Sequence, residues 1–130
     1  MIELRIDPGS GLPAYLQIVQ QVKDALRLGT IEVGDQLPTV REVVAHLAIN
    51  PNTVAKAYRD LERDGLVVAR QGRGTFISST LAPASLRHHD ELRAELERWI
   101  RSALKAGLDE ESVRALISAT LRESLARRVA

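Results

Sequence analysis

The stretch "INPNTVAKAYRDLERDGLV", residues 49–67, decides the fold. Val54, Ala57, Tyr58 and Leu61 fall on one helical stripe, yet a proline stands at the head of the run between two asparagines. Asn50 is a good N-cap, because its side-chain oxygen can accept an orphan amide hydrogen of the first turn. Pro51 then takes the first helical position, where a missing N–H costs nothing and the fixed φ already suits a helix. Gly65 ends the run. The proline is therefore a start signal, and the helix has a polar tip. The face away from the stripe carries Asn52, Thr53 and Lys56, two short polar side chains and one cation.

Upstream, "TVRE" opens another helix. Thr39 is its N-cap and Glu42 stands three residues on, the pattern of a capping box. Val43, Val44 and Leu47 form its apolar face. Only "AIN" separates it from the polar-tipped helix, so the two make a helix-turn-helix. Further upstream, "TIEVGDQLP" reads as a linker. "LPAYLQIVQQVKDALRLG" predicts a helix over 14–28, with Tyr15, Leu16, Ile18, Val19, Val22 and Leu26 on one stripe and Gly29 as its stop. "IELRI" alternates apolar and charged residues and predicts a short half-buried strand, ended by "DPGSG".

Downstream, "LVVARQGRGTFIS" predicts a hairpin with strands over 66–70 and 75–78 around a Gly-rich tip, which makes the helix-turn-helix winged. "STLAPAS" opens a linker over 79–90. Two helical patterns follow. Leu92, Leu96, Trp99, Ala103 and Leu104 mark the first, which stops at Gly107. Asp109 caps the second, with Val113, Leu116, Ile117, Leu121 and Leu125 as its stripe. Acidic residues at its start and Arg127 and Arg128 near its end suit the helix dipole. The expected fold is mainly α with a small β wing. It comprises a winged helix-turn-helix over 1–78, the linker, and a two-helix dimerisation region over 91–130.

Composition narrows the function classes. With 130 residues and 45% apolar content, the chain can build a core. The absence of cysteine excludes disulfides, thiolate metal sites and thiol nucleophiles. No apolar run reaches the ~20 residues of a membrane span, and "MIELRIDPGS" lacks the pattern of a signal peptide. A cytoplasmic location is the expectation. The net charge is only +1, so bulk electrostatics carries no case for nucleic acid. Such a case rests on where the charges sit.

Their places are specific. In a helix-turn-helix the second helix enters the DNA major groove by its N-terminal end. There Asn52 can pair with adenine N6 and N7, Thr53 can offer a hydroxyl or meet a thymine methyl, and Lys56 suits a phosphate or a guanine edge. Arg41 lies early in the first helix of the pair, where that motif meets the DNA backbone. In the wing tip "RQGRGT", Arg70 and Arg73 stand beside glycines that permit close approach; arginine there can follow a phosphate or enter the minor groove. Asn50 and Thr39 serve as caps first. Tyr58 is expected in the core, and Arg59 and Arg63, beside Asp60, Glu62 and Asp64, on a solvated face. "GRGT" lacks the Lys-Ser/Thr of a phosphate-binding loop. His88 and His89 are adjacent and point apart, so solvent exposure fits them better than a metal. Trp99 belongs to a core or a dimer interface. No Ser-His-Asp order, metal cluster or carboxylate pair marks an enzyme, and no cofactor is expected.

The residues also carry a family resemblance. "LPTVREVVAHLAINPNTVAKAYRDLERDGLVVARQGRGTFI" closely resembles the DNA-binding domain of GntR-type bacterial transcription regulators. The resemblance covers roughly residues 10–78, and the short C-terminal region is similar to that of the YtrA-like subfamily. It implies that Arg41, Asn50, Asn52, Thr53 and Lys56 lie at or near DNA, as do Gln71, Gly72, Arg73 and Gly74 of the wing. Thr39 belongs to the matching motif and is counted with them. The resemblance further implies a homodimer on a palindromic double-stranded DNA operator, usually acting as a repressor. One departure stands out: Ala48 occupies the inter-helix turn, where the family often has glycine.

Dimerisation also follows from the residues. Two C-terminal helices cannot bury both of their apolar stripes on each other, and a second copy would complete a four-helix core. Leu92, Leu96, Trp99, Ile100, Leu104, Val113, Leu116, Ile117 and Leu121 are the candidate interface. Isologous pairing would set two recognition helices about one DNA turn, or a multiple, apart. The large effector or aminotransferase-like domains of other subfamilies are not expected here. A small-molecule effector, where one exists, is expected in the dimer seam or the hinge around 79–90. The rival reading is a winged-helix module that binds protein rather than DNA.

Overall fold

The computed structural model describes residues 2–82 and 89–129. The chain divides into two compact units, 1–86 and 87–130.

The first unit is built on three helices and a hairpin. Helix α1 spans Ala14–Leu28, α2 Val40–Leu47 and α3 Pro51–Arg63. Helix α3 is the hub, packing on α1, on α2 and on the first strand of the hairpin. Its expected stripe is the buried one: Val54, Ala57, Tyr58 and Leu61 all lie in the core. They meet Ile18, Val22 and Leu26 of α1, Val43 of α2, and Leu37, Leu66, Val67 and Ile77 in one apolar cluster. Leu16 departs from expectation. It is exposed in the first turn of α1, and the buried face of that helix runs instead through Gln17, Ile18, Val19, Val22, Ala25 and Leu26.

The strand expected at 2–6 does not form. Its alternation survives as burial, with Leu4 buried and Glu3 and Arg5 exposed. What is missing is a partner strand, and two glutamines of α1 supply the hydrogen bonds instead. Gln21 accepts from the Arg5 N–H at 2.9 Å and donates to the Arg5 carbonyl at 2.6 Å. Gln17 accepts from the Asp7 N–H at 2.8 Å and donates to the Asp7 carbonyl at 3.0 Å. A primary carboxamide offers a donor and an acceptor side by side, as a peptide group does. The helix thereby pairs with the segment as a neighbouring strand would.

The wing comprises β1 (Val67–Arg70) and β2 (Gly74–Ile77), antiparallel, with Val67 opposite Ile77 and Arg70 opposite Gly74. Each strand lies within a residue of its expected place. The upstream linker is more than a linker. Gln36 forms a β-bridge with Phe76. The Leu37 N–H donates to the Thr75 carbonyl, the Ile77 N–H to the Asp35 carbonyl and the Gly34 N–H to the Ile77 carbonyl, at 2.9, 2.8 and 2.9 Å. Residues 34–37 thus cover one edge of the hairpin.

The second unit holds α4 (His89–Lys105) and α5 (Glu110–Val129). Gly107, at φ 100°, makes the turn between them. Asp109 caps α5 by accepting from the Ser112 N–H at 2.8 Å, and this bonding to Ser112 holds its carboxyl below the usual range. Helix α4 starts earlier than expected, at His89; residues 83–88 of the expected linker, His88 among them, lie outside the described residues. Among the described residues only Ala103 and Val113 of this unit are buried. Among the described residues no helix is long and apolar enough to cross a membrane.

Candidate nucleic-acid interface

The tip of α3 is assembled as the sequence anticipates. Asn50 Oδ1 accepts from the Asn52 N–H at 2.8 Å, and Pro51 opens the helix. Pro51, Asn52 and Lys56 are exposed and Thr53 is half-buried, on the side opposite the core stripe. The Asn52 side chain is thus left to the solvent face while its own N–H is satisfied by the cap.

Thr39 caps α2 in a reciprocal box. Its Oγ1 accepts from the Glu42 N–H at 3.1 Å, and Glu42 Oε1 accepts from the Thr39 N–H at 3.2 Å. Arg41 is exposed between them. The turn from α2 to α3 is held by Ala48 in the left-handed region, at φ 54° and ψ 44°, with its N–H on the Val44 carbonyl. This conformation is what glycine adopts at no steric cost.

Two contacts bring other elements to this face. The Lys56 ammonium sits 3.9 Å from the centre of the Tyr15 ring. Tyr15, expected only as part of the α1 stripe, is half-buried and offers its face to the cation. The Tyr58 hydroxyl donates to the Pro38 carbonyl, tying α3 to the residue before the Thr39 cap of α2. Burial, and secondarily the Glu42 carboxylate, pushes that hydroxyl far above the usual tyrosine range. Tyr58 therefore stays a neutral donor.

In the wing, Gln71, Gly72 and Arg73 form the exposed turn. The Arg73 N–H donates to the Arg70 carbonyl at 2.9 Å, with Gly72 at φ 74°. Arg70 is exposed, its guanidinium 5.8 Å from the Phe76 ring centre. Gly74 is at φ 122°, and Gln36 Nε2 donates to the Arg73 carbonyl at 3.0 Å. Motif reading misses this contact of Gln36 with the wing turn. The residue sits in a segment with no periodicity, and only the folded hairpin reveals its target. Arg63 pairs with Asp60 at 3.2 Å, in keeping with a solvated face.

A capped helix-turn-helix, a polar helix tip and an arginine-bearing hairpin define the winged-helix class of transcription regulators. The comparisons agree. Residues 14–77 match the model of the bacterial regulatory proteins of the gntR family. The chain is 40% identical over 114 residues to the HTH-type transcriptional repressor YtrA of Bacillus subtilis strain 168, covering 85% of each. It resembles the solved structure of YtrA from Sulfolobus acidocaldarius, a GntR-family transcription factor. That likeness has a TM-score of 0.54 and 32% identity, over 75% of this chain and 97% of that one. It also resembles the AraR DNA-binding domain solved in complex with an operator, with a TM-score of 0.52 and 28% identity, over 59% and 96% of the chains. The chain belongs to the GntR family of bacterial transcription regulators, with YtrA among its relatives.

Proposed function

We propose that the chain is a homodimeric repressor that binds a palindromic operator. In this reading Asn52, Thr53 and Lys56 read bases or adjacent phosphates, Arg41 fixes position on the backbone, and Arg73 anchors the wing. Arg70, Gln71, Gly72 and Gly74 complete the wing contact, and Thr39 and Asn50 approach DNA as caps. The observation that carries the reading is the tip of α3. It exposes Asn52 and Lys56 on the face opposite a fully buried stripe, with its first turn already capped. The AraR domain was solved on an operator, and the B. subtilis relative is named a repressor.

The second unit is proposed as the dimerisation region, over 91–130. A groove between α4 and α5 is lined by Leu96, Trp99, Leu116, Ile117 and Leu121. Leu92, Leu96, Leu104 and Leu121 are each half or more exposed, which a second copy would cover. Ile100 is half-buried. Val113 is buried within its own unit and so supports the helix pair rather than the exposed face.

The test is fluorescence titration against an operator selected from random DNA, repeated across salt concentrations. Arg41→Ala is expected to weaken binding to all sequences and to shallow the salt slope by about one unit. Asn52→Ala is expected to relax choice at one half-site position, at a loss of about 1–3 kcal/mol there. Unchanged slope and unchanged preference would remove these residues from the interface. No salt-sensitive binding by the wild-type chain would favour the protein-binding module.

A further inference from the structure

We infer that Gln36 is a positioning residue for DNA binding, one that orients the wing tip through Arg73. The inference rests on the DNA-binding reading and assigns a function to a residue of the segment before α2.

The exposed turn at 71–73 has little to hold it. Within the hairpin, the Arg73 N–H is taken by the Arg70 carbonyl. The Arg73 carbonyl is taken by Gln36 Nε2, 37 residues away in sequence. The peptide groups flanking Arg73 are thus clamped on both sides, once by the hairpin and once from outside it. Gly74 makes room for this: a Cβ there would stand 2.5 Å from Gln36 Nε2. Residue 74 must be small for the amide to reach its target.

The anchor itself is well braced. Residues 34–37 run along β2 through three backbone hydrogen bonds. The next residue, Pro38, accepts from Tyr58 of α3, and Thr39 then opens α2 with Arg41 two residues on. One short segment therefore joins the wing tip, the recognition helix and the phosphate-facing start of α2. Gln36 is exposed, so its amide is not needed to fill the core. Its bond orients a turn whose arginine must meet a neighbour across a groove. Orientation of that kind matters in the complex more than in the free protein.

The experiment uses the full chain and an operator duplex selected with the wild type. Gln36→Met keeps length and flexibility and removes the donor. It is expected to raise Kd about threefold to tenfold, to shallow the salt slope by up to roughly one unit, and to leave the thermal midpoint unchanged. Arg73→Ala is expected to weaken binding as well. In the Arg73→Ala background, Gln36→Met should add a loss of less than about twofold, because both changes remove one contact. Wild-type Kd in Gln36→Met, additive losses in the double variant, or a fall in thermal midpoint that accounts for the weaker binding would each overturn the inference. Those outcomes leave the DNA-binding reading standing. Absence of salt-sensitive binding by the wild type overturns that reading and the inference with it.

Discussion

Ala48 shows how much a single backbone conformation can matter. It closes the turn between α2 and α3 in the left-handed region, where the Cβ of an L-residue crowds the following carbonyl. Among the described residues it is the one non-glycine with positive φ. The strain is tolerated because the turn must place the tip of α3 three residues after α2 ends. Ala48→Gly is therefore expected to raise stability by about 1 kcal/mol, the relieved strain outweighing the added freedom of the unfolded chain. Urea unfolding at equal m-value checks it, and an unchanged or lower midpoint would show that the strain does not exceed the added freedom of the unfolded chain. The departure was visible in the sequence as alanine in a glycine place. Its consequence, a positive φ kept rather than avoided, was not.

At the scale of elements, the N-terminal segment and the wing carry one lesson. A period of two in "IELRI" reports that one face is buried, and Leu4 is. It says nothing of what satisfies the backbone. A helix does so here, through Gln17 and Gln21, whose spacing of four places both carboxamides on one face. Gln17 is itself buried and also donates to Ser10 Oγ and the Leu12 carbonyl, at 3.0 and 2.9 Å. Gln17→Leu keeps a similar bulk but takes their partner from the Asp7 N–H and the Leu12 carbonyl, and leaves the Asp7 carbonyl with the Ser10 N–H alone. The expected loss is about 2–3 kcal/mol of stability, with faster amide exchange confined to residues near 5–12. Chemical denaturation with exchange mass spectrometry would measure both. Uniform loosening of the first unit would contradict the local assignment. The wing repeats the pattern: its two strands were legible from alternation around glycines, while the covering edge at 34–37 was not, because it has no period.

For the molecule as a whole, the open question is what covers the second unit. Leu96 and Leu121 are 50% and 57% exposed, on the two walls of the groove between α4 and α5. Solvent is a poor partner for such a surface, since fully burying a large apolar side chain is worth roughly 1.5–3 kcal/mol and these two leave about half of that unused. A chain carrying Leu96→Glu and Leu121→Glu together is expected to sediment at half the wild-type mass. Its operator affinity should fall roughly a hundredfold, because two half-sites are no longer held by one particle. A wild type that is monomeric at micromolar concentration, or a double variant that stays dimeric, would rule out this surface as the dimer seam. Circular dichroism of the double variant separates loss of helix from loss of the dimer.

What the sequence by itself determined is local. Caps, a proline at the first helical position, glycine stops and helical stripes are set by side chains within a few residues of one another. The three helices of the first unit, the hairpin and the polar tip at Asn52, Thr53 and Lys56 therefore follow from reading along the chain. The tertiary structure decided the links between distant segments. Lys56 lies over Tyr15, Tyr58 reaches Pro38, Gln17 and Gln21 replace a missing strand, and Gln36 holds the carbonyl of Arg73. The reason is physical: a carboxamide or hydroxyl advertises in sequence only that it can bond, and which backbone group it meets is fixed when the core brings remote segments together.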